Sequence, residues 1–102
     1  MDFNETGREL ATLQGKTYIL QVRAAGGDQI LFQMIDGINE AKSAEKGPDR
    51  VYVNFRDAEG SFSFLRTEFV GAGWERAWRR GEEDQSLFRV QVGEIEVGFQ
   101  AY

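Results

Sequence analysis

A mainly β fold with minor α content, about six antiparallel strands in three hairpins with one to three short helices, is predicted by three observations. Short stretches alternate apolar and polar residues with period two. They come in pairs separated by glycine-bearing turns. No strand–helix–strand alternation appears that would build a parallel sheet. One bent sheet, closed as a small barrel or stacked as a sandwich, satisfies all three, and a single sheet backed by helices is the alternative. The 102 residues make a single domain, 1–102.

Residues 2–15 open the chain with a short helix or an extra strand. In the helical reading, Asn4 or Thr6 caps the N-terminus, Leu10 and Leu13 share a face, and Gly15 stops the run. Lys16–Ala24 and Gln29–Asp36 follow as a hairpin. A three-residue loop, Gly26-Gly27-Asp28, pairs Ala24 with Ile30, Val22 with Phe32 and Leu20 with Met34. The reverse face then carries Ile19, Leu31 and Ile35, too apolar to stay wet. Either a helix of the same chain covers it or a second subunit does, as a homodimer.

Gly37–Asp49 interrupts the strands. Asn39 reads as an N-cap, residues 40–46 are mostly good helix formers, and Gly47-Pro48 ends the run. Arg50–Phe69 is the central hairpin, turning at Asp57–Gly60, with Phe55 facing Phe62, Val53 facing Phe64 and Val51 facing Arg66. A one-residue slip would scatter the apolar set over both faces, so the buried face specifies its own parity. Val70–Gln85 is a second interruption. Gly71 and Gly73 loosen it, Trp74–Arg80 forms a short helix, and Glu82, Glu83 and Asp84 make an acidic loop. The last hairpin turns at Gly93-Glu94 and pairs Val92 with Ile95, Val90 with Val97 and Phe88 with Phe99.

Composition removes several chemistries. With no cysteine and no histidine, thiolate nucleophiles, disulfides, zinc–thiolate sites and the usual near-neutral proton carrier are all absent. Gly71-Ala72-Gly73 lacks the third glycine and the βαβ setting of a dinucleotide loop, and Glu94 and Glu96 sit at an exposed turn. The chain is therefore expected not to be an enzyme and to need no cofactor or metal. A net charge of −5 argues against duplex DNA as the main partner. The opening MDFNETGREL is acidic and polar, unlike a secretory signal, and no apolar run approaches membrane-spanning length, so a cytoplasmic setting is expected.

Two surfaces carry the candidate contacts. Trp74, Arg76, Trp78, Arg79 and Arg80 combine the two residue types most enriched at interface hot spots, with the tryptophans four apart on the expected helix. Packing of both indoles over the open end of the β core is the structural alternative. On the outer face of the central hairpin, Tyr52, Asn54 and Arg56 have the character of an adaptable contact surface, or simply of a wet sheet face. The expected function is that of a small acidic binding protein acting on another protein: an inhibitor, an immunity or anti-defence protein, or an adaptor of bacterial or phage type. The alternatives are a single-stranded nucleic-acid or nucleotide binder using residues 74–80, and a structural subunit of a homo-oligomeric or phage-type assembly.

Overall fold

The computed structural model describes residues 1–27, 29–42, 49–56, 60–79 and 82–101, with Lys42, 76–79 and 82–86 described by backbone alone. One helix, α1 (Phe3–Thr12), precedes seven strands: β1 (Thr17–Ala24), β2 (Ile30–Lys42), β3 (Arg50–Phe55), β4 (Ser61–Leu65), β5 (Phe69–Arg79), β6 (Glu82–Val92) and β7 (Ile95–Ala101). They form a single open antiparallel sheet in the order β4-β3-β2-β1-β7-β6-β5. The mainly β expectation holds at that level, with seven strands in place of about six. Among the described residues α1 is the only helix, and it is not long and apolar enough to cross a membrane.

Helix α1 begins at a cap other than the expected Asn4 or Thr6, both of which lie inside it. Asp2 Oδ1 accepts from the Glu5 backbone N–H at 2.8 Å, and Glu5 Oε1 accepts from the Asp2 N–H at 3.2 Å, a reciprocal capping box. The helix buries Phe3 and Leu10, its C-cap residue Leu13 is buried beside them, and Gly15, at φ 80°, turns the chain into β1.

The three hairpins differ in how closely they match the expected register. The β6–β7 pair matches residue for residue: Val92 with Ile95, Val90 with Val97, Phe88 with Phe99. In β1–β2, Val22 meets Phe32 and Leu20 meets Met34 as expected, but Ile30 faces Arg23 rather than Ala24, because Leu31 is accommodated as a bulge. In β3–β4 the partners are shifted by two. Val53 faces Phe62 and Val51 faces Phe64, while Phe55 is drawn across to Ile38 of β2. An even shift keeps every side chain on its expected face, which is why parity alone could not detect it.

Both expected interior helices are overturned where they are described. Residues 39–42 continue β2, with Glu40 opposite Asn54 and Ala41 opposite Val53; residues 43–48 lie outside the described set. The Trp74–Arg80 helix is replaced as far as Arg79 by β5, which pairs with β6 from Phe69–Val92 to Arg79–Glu82. Glutamate, alanine and arginine are good helix formers, but intrinsic propensity is a weak determinant, and the cross-strand pairing of Ala72 with Val90 and Trp74 with Phe88 outweighs it. The expected acidic loop at 82–84 is likewise the start of β6.

Two features curl the sheet. Strand β2 pairs with β1 as far as Gly37 and with β3 from Ile38 onward, so it passes round a corner. At that corner an added Cβ on Gly37 would lie 2.8 Å from Arg56 Nε, whose guanidinium donates to the Gly15 carbonyl at 2.6 Å. Only glycine leaves room for this clamp. The second feature is the connection Arg66–Glu68, three residues that join β4 to β5, the two opposite edges of the sheet. The edges therefore converge at that end, where Phe3 packs edge-on to Phe64 and Phe69 with ring centroids 5.7 and 5.9 Å apart. Arg66 lies over the Phe3 ring and bonds Asn4 and Asp49, tying α1 to the junction. Helix α1 thus occupies the concave face at one end.

Tyr18 of β1 is buried within this core, and burial raises its phenol pKa above the ordinary value of 10.0. The unfolded chain then ionises first on going alkaline, so stability is intact below pH 10 and falls as pH rises through that value. Tyr18→Phe is expected to flatten the alkaline limb of a stability–pH curve measured by urea unfolding, leaving neutral pH little changed.

Candidate binding surface

The concave face is filled by α1 at one end and open at the other. The open end holds an apolar cavity of about 180 Å³, lined by Leu20 and Val22 of β1, Phe32 and Met34 of β2, Phe55 of β3, Phe62 of β4 and Val97 of β7, with Ser61 at its rim. Its volume exceeds the roughly 150 Å³ of engineered apolar cavities that stay dry and take up a benzene-sized guest.

Strand β2 forms one lip of this opening and is the most exposed apolar segment among the described residues. Ile30, Leu31, Phe32 and Ile35 are 44, 55, 54 and 57% exposed. Leu31 and Ile35 share the convex side with half-buried Ile19, which faces Ile35 across the β1–β2 pair. The expected covering helix does not lie there, since α1 and its C-cap contribute Phe3, Leu10 and Leu13 to the core on the concave side. Among the described residues nothing covers Leu31 and Ile35.

The convex face over β5, β6 and β7 carries a second depression of about 450 Å³, floored by Gly71 and Gly73 and walled by Glu75, Arg89, Gln91 and Glu96. Arg89 is paired with Glu75 and with Glu96, the latter at 3.1 Å. Its guanidinium is thereby committed to two carboxylates instead of being aimed at an incoming phosphate.

The residues singled out in the sequence do not assemble into one site. Trp74 lies on β5 with its ring 5.0 Å from Phe88, and its indole N–H donates to Glu9 Oε1 of α1 at 2.9 Å. It packs against β6 and the flank of the helix while remaining partly exposed. Arg76, Trp78 and Arg79 follow along the β5 backbone, Arg76 opposite Ser86 and Arg79 opposite Glu82, so the helical aromatic stripe does not exist; Arg80 lies outside the described residues. On the central hairpin Tyr52 stays exposed beneath the Arg50 guanidinium, and Asn54 donates to Glu40. Arg56 is used by the fold at the Gly37 corner. Phe32, Met34, Phe55 and Phe62 were missed as site residues. Each looks like ordinary core in the sequence, and only the curl of the sheet leaves them around an opening.

Among the described residues there is no cluster of three or more potential metal ligands. Comparison of the chain with protein-family models, with characterised proteins and with solved structures found no match.

Proposed function

We propose that this chain is a non-catalytic binding protein that acts by protein–protein contact, in the manner of an inhibitor, immunity or anti-defence protein or an adaptor, and that the contact is made through the first half of β2. The observation that carries this reading is the run Ile30–Ile35, in which four large apolar side chains are more than two-fifths exposed on one strand. Exposed apolar patches concentrated in this way mark interaction sites in soluble proteins. The curled sheet is read as a small, partly open barrel with α1 in one mouth and the apolar cavity in the other. In such an architecture the open mouth and its lip are the natural contact surface. The absence of cysteine and the acidic balance support an intracellular setting, bacterial or phage-borne.

The commitments of Trp74 to Glu9 and of Arg89 to two carboxylates weigh against the nucleic-acid alternative. Ile35→Lys tests the reading directly. The side chain is mostly solvent-exposed, so the variant is expected to keep its circular dichroism spectrum and melting temperature within the small range typical of surface changes. In pull-downs with the tagged protein it should lose the partner that the wild type retains. Equal retention by wild type and variant would place the contact elsewhere.

A further inference from the structure

Apolar side chains line the whole concave face, but they are not equally covered. Val51, Val53, Phe64, Phe88, Val90 and Phe99 are sealed in the core shared with α1 and have no exposed surface. Val22, Met34, Phe55 and Phe62 stand on the same face and are only half-buried, and Phe32 is 54% exposed. These five surround the cavity of about 180 Å³, with buried Leu20 and Val97 at its base. Native interiors leave few voids larger than a water molecule. A space of this size forfeits dispersion contacts along every wall. Water is a poor filler here, because among the described lining residues only the Ser61 side chain can bond to it.

We infer that this cavity is a binding site for a small, uncharged, apolar molecule of about six to eight carbon atoms, the size set by scaling from the roughly 150 Å³ that accepts benzene. The charge of the ligand follows from the walls. Among the described residues no aspartate, glutamate, lysine or arginine lines the cavity, so an ionised group would be buried without a partner. The net charge of −5 adds a longer-range repulsion against an anion. Its apolar character follows from the same walls: the rings of Phe32, Phe55 and Phe62 offer flat surfaces, and the Met34 thioether adapts to irregular shapes. Concave apolar sites between curled strands hold ligands of this kind. A free molecule needs no partner chain, so this site and the contact proposed through Ile35 stand or fall separately.

Titration of the full chain, labelled at its methionine methyl groups, with toluene, 1-hexanol and hexanoate is the test, read by NMR. The chain has two methionines. Met34 lines the cavity, whereas Met1 is exposed and its amino group donates to the Ala72 carbonyl of β5, which makes it an internal control. The Met34 signal is expected to shift saturably with toluene and with 1-hexanol, with Kd between about 10 µM and 1 mM, while Met1 stays in place. Hexanoate, ionised at neutral pH, should bind about tenfold more weakly than 1-hexanol. Val22→Trp sets an indole into the cavity from a half-buried position and should weaken toluene binding by about tenfold with the circular dichroism spectrum kept. The first two readouts use the wild type, so they decide the matter even where that variant fails to fold. Absence of a saturable Met34 shift up to the solubility of toluene overturns the inference. So do equal shifts at Met1 and Met34, hexanoate binding as tightly as 1-hexanol, or undiminished toluene binding by folded Val22→Trp.

Discussion

Phe64→Ala is expected to destabilise the protein by about 3–5 kcal/mol, the range for emptying a fully buried aromatic position. Phe64 has no exposed surface, and its ring meets Phe62 at 5.3 Å, Phe3 at 5.7 Å and Phe69 at 6.0 Å. Those neighbours belong to β4, α1 and β5, so one side chain fills the space where helix and both sheet edges converge. A single domain holds roughly 5–15 kcal/mol in all, so the variant should lose between about a fifth of its stability and all of it. Urea unfolding read by tryptophan fluorescence measures this, and Phe64→Leu should recover most of the loss. A cost below about 1 kcal/mol for Phe64→Ala would mean that the junction is not close-packed.

The second large effect is expected at Leu10, where substitution by alanine should cost about 2–5 kcal/mol. Leu10 is fully buried on α1. Alanine is the better helix former, so any destabilisation measures lost packing against the sheet with helix propensity acting in the opposite direction. Thr12 on the same helix is exposed, its hydroxyl donating to the Glu9 carbonyl, and Thr12→Ala should stay within about 0.5 kcal/mol of wild type. Equal effects at the two positions would show that α1 rests on the sheet without anchoring its core.

What could be read from the residues follows the range of the interactions responsible. The turn at Gly93-Glu94 and the pairing around it depend on neighbours in sequence, and they were legible to the residue. The central hairpin was legible in its faces but not its partners, because period-two patterning is blind to a shift of two, and the competing attraction of Phe55 for Ile38 comes from another strand. A local signal for the helix cap was present in the Asp2–Glu5 spacing, the acid-x-x-Glu pattern of a capping box, and passed unused. Strand β5 was misread as a helix because its stabilisation lies in β6 and not in its own residues. The cavity was the least legible of all. Its walls come from five strands, and Phe32, Phe55 and Phe62 are brought around one opening only by the sheet order and the corner at Gly37.

The pairing of β1 with β7 imposes a schedule on folding. The first strand finds one of its two neighbours only in the last, Tyr18 meeting Ala101 and Ala24 meeting Ile95, across nearly the whole chain. During synthesis α1 and the hairpins β1–β2 and β3–β4 emerge first. The core they share with Phe88, Val90, Val97 and Phe99 cannot be completed until β7 has left the ribosome. Until then one edge of β1 stays open beside the apolar edge of β2, and loop-closure entropy makes the final pairing slow relative to hairpin formation. The growing chain is thus exposed to wrong partners along that edge of β1 until β7 is available to pair with it.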